Sequence, residues 1–118
     1  MKLDSVVLAD IKQMLGIEES VSEFDVDIQS GINSAFFTLY QLGIGLDEPI
    51  RIDQSTTWDE LDTTAPKEVM RDYIYYKVKI VFDTPTTSSV SEAVKDRISE
   101  LEFRLNIHSD NGGGVVNG

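Results

Sequence analysis

Apolar side chains recur along this chain at the three-and-four spacing of helices in four separate stretches. In the first, about Asp4 to Leu15, Val7, Ile11 and Leu15 repeat with Leu8 alongside, while Asp10, Lys12 and Gln13 fall elsewhere on the wheel. Asp4 or Ser5 is expected to accept from free amides at its start, and Gly16 suits its end. A polar stretch, Glu18 to Glu23, leads to the second, about Phe24 to Leu42, where Ile28, Ile32, Ala35, Phe36 and Leu39 trace one face. Phe37 and Tyr40 broaden that face, Asp25 and Asp27 favour the positive end of the helix dipole, and Gly43 and Gly45 end the segment.

The third stretch, about Ala65 to Phe82, carries Pro66 in its first turn, where a missing N–H costs little. Val69, Met70, Tyr73, Ile74, Lys77, Ile80 and Val81 form a wide stripe with Tyr76 at its edge, which predicts the central helix of the core; Pro85 blocks its continuation. The fourth opens on Ser89-Val90-Ser91-Glu92, a capping-box pattern, and continues through Val90, Val94, Ile98, Leu101 and Leu105. Between the second and third stretches, residues 44–64 read as irregular. Leu46 to Pro49 is a turn signal, Ile50-Arg51-Ile52 alternates like a short strand, and Trp58 to Leu61 fits one helical turn. A connection of roughly 20 residues is long for a compact domain and points to a job. The expected fold is all-α: a bundle of about four helices with a long middle loop, in one domain over residues 1–107. Gly112, Gly113 and Gly114 cannot hold a helix, so residues 108–118 are expected to be a flexible tail.

Composition narrows the function by exclusion. Apolar residues make up 41% and charged residues 26%, as in folded soluble proteins. The 21 acids outnumber the 10 Lys and Arg, leaving a net charge of −11 that repels phosphates and anionic lipid and disfavours conventional nucleic-acid binding. There is no cysteine for a disulfide or thiolate site, and no apolar run approaches a membrane span, which fits a soluble chain of a reducing cytosol.

No catalytic, cofactor or metal residues stand out. The run Asp25 to Gly31 misses calcium-loop spacing, since its glycine falls one place late and Phe36 occupies the twelfth position. Asp53, Asp59, Glu60 and Asp62 cluster in the middle loop, but paired hydrolytic carboxylates require a cleft and a raised pKa that no sequence feature supplies. His108 is the sole histidine and has no ligand set around it. Tyr73, Tyr75 and Tyr76 lack the basic surroundings of a base-stacking platform and suit packing instead. Trp58 reads as an interface anchor, because aromatics concentrate at binding hot spots.

The order of the pieces resembles the head–tail connector (adaptor) proteins of long-tailed bacteriophages. The likeness lies in the opening helix Leu8 to Ile17 with its Lys-x-x-Leu-Gly-Ile from Lys12 to Ile17, the long helix after Asp25-Val26-Asp27-Ile28, and the helix from Pro66 with Tyr73 to Val81. The resemblance implies a virion protein of the head–tail junction, assembled in the host cytoplasm, in a ring of twelve copies beneath the portal. Such a ring extends the DNA channel and carries the stopper or tail-completion protein, with DNA passing unbound. Phe37, Tyr40, Trp58 and Tyr75 are then candidates for the subunit interface. Ile107, His108, Val115 and Val116 are candidates for portal docking, and Asp53, Asp59, Glu60 and Asp62 for the channel-side acids. The rival reading is an acidic helical module, a regulator or DNA mimic that occupies a partner's basic site.

Overall fold

A computed structural model describes residues 1–44, 48–82 and 88–109. Four helices follow in order: α1 over Val7–Met14, α2 over Asp25–Gln41, α3 over Lys67–Phe82 and α4 over Ser88–Ser109. A 3-10 turn, Trp58–Glu60, punctuates the long connection between α2 and α3. Helix α3 packs against all three others, with α2 and α4 as its main flanking partners. That central place follows from its buried Met70, Tyr73, Ile74 and Val78, which join Ile28, Ile32, Ala35, Phe36 and Leu39 of α2 and Leu101 and Leu105 of α4 within one core. Helices α2 and α3 pass close at Gly31, where an added Cβ would lie 3.5 Å from Val78 Cγ2.

Two stop signals have the same design. Leu15-Gly16-Ile17 and Leu42-Gly43-Ile44 each place glycine at positive φ, +80° and +74°. Ile17 N–H then bonds Lys12 O and Gly16 N–H bonds Gln13 O; Ile44 N–H bonds Leu39 O and Gly43 N–H bonds Tyr40 O. Both are Schellman closures, in which the residue after glycine folds back onto the helix it ends. Ile44 is accordingly buried, and Ile17 packs on the core.

Several elements differ from their expected form. Helix α1 begins at Val7, not near Asp4, because residues 3–7 are engaged elsewhere: Val7 N–H donates to Thr56 O at 2.8 Å, Trp58 N–H to Ser5 O at 3.1 Å and Asp59 N–H to Leu3 O at 2.8 Å. Neither Asp4 nor Ser5 caps it. The associated Val6–Thr57 bridge is antiparallel and isolated, and the described residues contain no strand. Ile50-Arg51-Ile52 alternates without pairing to a strand. The Asn33 side chain supplies the partner, accepting from Ile52 N–H at 2.7 Å and donating to Ile52 O at 3.2 Å. Ser89 already lies inside α4, so the Ser89–Glu92 pair is not its cap. A capping box does form at the 3-10 turn, where Glu60 Oε1 accepts from Thr57 N–H at 2.7 Å. Val90 is half exposed and Val81 is 80% exposed, so both leave the core stripes assigned to them.

Much of the middle connection is packed: Ile44, Ile52, Trp58, Leu61 and Ala65 are all buried in the main core. Gly45 and part of the expected turn, Leu46 and Asp47, lie outside the described residues, as do Pro85 and residues 110–118. Helix α4 runs to Ser109, so the first two residues assigned to the tail, His108 and Ser109, are helical.

Candidate interaction surfaces

One polar node ties three distant parts of the chain together. Asp10 on α1 accepts from Trp58 Nε1 at 2.9 Å, from Arg71 Nε at 2.6 Å and from Arg71 Nη2 at 2.9 Å. Burial works to raise the Asp10 pKa, but the Arg71 and Trp58 hydrogen bonds outweigh it and hold the carboxyl below the ordinary aspartate value. The same bond to Asp10 holds the Arg71 pKa up. Trp58 is fully buried, with its ring in the core and its indole N–H consumed by Asp10. Its expected role as a subunit anchor is therefore corrected: Trp58 has no surface to present to a partner, because the fold of the single chain uses all of it.

A second node explains the opening motif. Lys12 is 3% exposed, and its ammonium donates to Val21 O at 2.6 Å and Glu19 O at 3.2 Å while pairing with Asp25 Oδ1 at 2.8 Å. Buried cations persist where their donors are satisfied. In Lys-x-x-Leu-Gly-Ile, the lysine thus fixes the α1–α2 connection and the Leu-Gly-Ile closes α1. On the far side of α3, Tyr73 hydroxyl donates to Glu102 Oε2 at 2.9 Å, and burial followed by this bond keeps the phenol pKa raised.

The remaining candidates divide between surface and half-buried sites. Phe37 and Tyr40 are exposed on α2, their ring centroids 6.1 Å apart. Tyr75 is half-buried, edge-on to Tyr76 at 4.9 Å, with Lys79 Nζ 5.9 Å from its centroid. Asp53, Asp59, Glu60 and Asp62 are all exposed. Three of them hold their own loop. Asp53 accepts from Ser55 N–H at 2.8 Å and from the Ser55 and Thr56 hydroxyls at 3.0 Å, which lowers its pKa, Asp59 accepts from Thr57 Oγ1, and Glu60 completes the capping box. Ile107 is exposed near the end of α4 and His108 occupies its last turn; Val115 and Val116 lie outside the described residues.

Two features were missed in the residue patterns. From Ile28 to Leu46 there is no charged side chain, although a quarter of the chain is charged. That run includes the exposed face of α2, and charge depletion with exposed aromatics is how the centre of a protein interface differs from ordinary surface. Beside it, Val26, Phe37, Pro49, Ile50 and Arg51 line a groove of about 550 Å³. The charge-free run was legible in the sequence; the groove was not, since Asn33 brings residues 49–52 onto α2.

Among the described residues no cluster of three or more His, Asp or Glu is placed to hold a metal ion, and no helix is long and apolar enough to cross a membrane. Fold and surface define a small all-α protein whose polar nodes hold the chain together and whose exposed apolar residues are arranged on helix faces. A family model described as phage connector protein matches residues 7–112, and the chain belongs to that family. It is accordingly a virion component of the connector class, a structural family. Searches of curated proteins and of solved structures each returned no significant match.

Proposed function

We propose that this chain is a ring subunit of the phage head–tail connector, joining the portal to the stopper or tail-completion protein and extending the DNA channel. The family match over nearly the whole chain carries this reading and favours it over an independent acidic binding module. The twelve-fold ring comes from the family resemblance. The net charge of −11 suits a conduit wall, because exposed carboxylates such as Asp53, Asp59, Glu60 and Asp62 repel a passing duplex. Phe37, Tyr40 and Tyr75 are the subunit-contact residues of this proposal. Residues 1–107 form its connector unit, and the end of α4 with the segment beyond it, Ile107, His108, Val115 and Val116, docks on the portal.

Electron microscopy of the purified chain, alone and mixed with its portal protein, with masses from light scattering, tests the proposal. Rings with a central hole of roughly 20 Å or more, wide enough for a duplex whose major groove alone spans about 12 Å, are the expected result. A chain that stays monomeric and does not bind the portal overturns it.

A further inference from the structure

Helices α2 and α4 both flank α3, and their outer faces differ in chemistry. On α2 the side turned away from Gly31 and Val78 carries Val26, Phe37 and Tyr40 and no charge after Asp27. Its groove against residues 49–51 contains one charged side chain, the exposed Arg51, and no acid. No carboxylate among the described residues forms an ion pair with Arg51. Arg51 also borders a second groove lined by Glu48, Glu60 and Asp62, whose charge excludes an acidic occupant on that side.

Helix α4 buries Leu101 and Leu105 in the core and Val94 on the same face, so the opposite stripe faces solvent. That stripe reads Glu92, Asp96, Glu100, Phe103 and Ile107, at helical spacings of four, four, three and four. Glu100 is taken by Arg97 at 2.5 Å and Arg104 at 3.3 Å, whereas Glu92 and Asp96 are exposed and unpaired among the described residues. Phe103 is 64% exposed. The stripe thus offers acids unpaired among the described residues followed by apolar side chains, and the groove offers Arg51 beside Val26, Phe37, Pro49 and Ile50, with polar, uncharged Gln29, Ser30, Asn33 and Ser34 between them.

We infer that the α2 groove receives the α4 stripe of a second copy of this chain, with Arg51 facing Glu92 and Asp96, and with Phe103 and Ile107 against Val26 and Phe37. Two different faces make a heterologous contact, the kind that propagates around a ring when its rotation closes. The inference rests on the ring reading above and specifies which surfaces make it. In a chain of net charge −11, copies repel over long range, so a local cation on a neutral face selects which surface of the next copy approaches.

Charge reversal separates this contact from general repulsion. Arg51→Glu should weaken self-association of the full chain about tenfold or more, since a charge pair becomes a like-charge clash. Glu92→Lys with Asp96→Lys should also weaken it. General repulsion predicts the opposite, because two acids become two cations and the net charge moves from −11 to −7. The three changes together should restore association. All three residues are exposed, and circular dichroism checks that each variant keeps its helices. Sedimentation velocity across concentration and salt is the readout. Association of the wild type that is unaffected by Arg51→Glu, or a triple variant that is no better than its parents, overturns the inference and leaves the connector reading standing. A wild type that is monomeric at every concentration overturns the second-copy occupant, while portal binding remains the separate test of the connector role.

Discussion

Asp10 and Arg71, 61 residues apart in the chain, meet in a two-pronged contact of 2.6 and 2.9 Å, with the Trp58 indole N–H on the same carboxylate. The contact joins α1, the middle connection and α3, so it stitches the segment without regular structure into the helical frame.

Removing one member leaves a partly buried charge without its partner. Asp10→Asn or Arg71→Ala should cost about 1–3 kcal/mol, below the 3–5 of a fully buried pair because Arg71 keeps a side-chain exposure of 28%. The pH dependence has a definite sign. A carboxyl held below its unfolded pKa stabilises the fold above that unfolded value, and the contribution is lost as pH falls through the folded pKa. Urea unfolding from neutral to acidic pH should therefore show a smaller loss of stability in Asp10→Asn than in the wild type.

Trp58 provides a direct optical check. Its emission should be blue-shifted and poorly quenched by acrylamide, and should stay so on self-association, since the ring is already fully buried. Trp58→Ala should cost roughly 3–5 kcal/mol. Trp58→Phe keeps most of the burial but loses the donor to Asp10, and should cost less. A strongly quenchable tryptophan that becomes protected only in oligomers would reverse the assignment.

Asn33 substitutes for a missing strand neighbour. Asn33→Ala leaves Ile52 N–H and C=O without their partner and should cost about 1–3 kcal/mol, with faster hydrogen exchange at the Ile52 amide than at α2 amides. Asn33→Leu, of similar size, should not rescue it. Full protection of Ile52 in Asn33→Ala would show that the amide contact is not what holds this segment.

The glycines should split by backbone angle. Gly16→Ala and Gly43→Ala meet no atom within 4 Å, so their cost is the left-handed backbone, roughly 1–2 kcal/mol, with asparagine tolerated better than alanine. Gly31 is helical and has ordinary room beside Val78, so Gly31→Ala should be neutral or stabilising by up to about 1 kcal/mol. Thermal melts of the three variants distinguish the two signs.

Local periodicity made the four helices legible, because an amphipathic helix writes its buried face every three or four residues: Ile28, Ile32, Ala35, Phe36 and Leu39 all proved buried as expected. Leu-Gly-Ile likewise reads as a helix end without tertiary help, since only glycine takes the required angle cheaply. The ends of those stripes were less legible, since Val81 and Val90 fit the period but are exposed. The connector family, too, was recognisable from residue order and is borne out by the match over residues 7–112.

Long-range partnership lay beyond the sequence. An aromatic in a loop reads as exposed until it is known that α1 offers Asp10 to its indole and that the core has room for its ring. Ile50 to Ile52 has the alternation of a strand, and only the position of Asn33 on α2 shows that one side chain satisfies it. The sequence alone therefore determined which stretches are helical, where two of them stop and that the chain is strongly acidic, because those follow from neighbours a few residues apart. Tertiary structure decided that Trp58 belongs to the core, that much of the middle connection is packed, and that Arg51 lies beside α2 with no ion pair among the described residues, because each depends on groups brought together from distant parts of the chain.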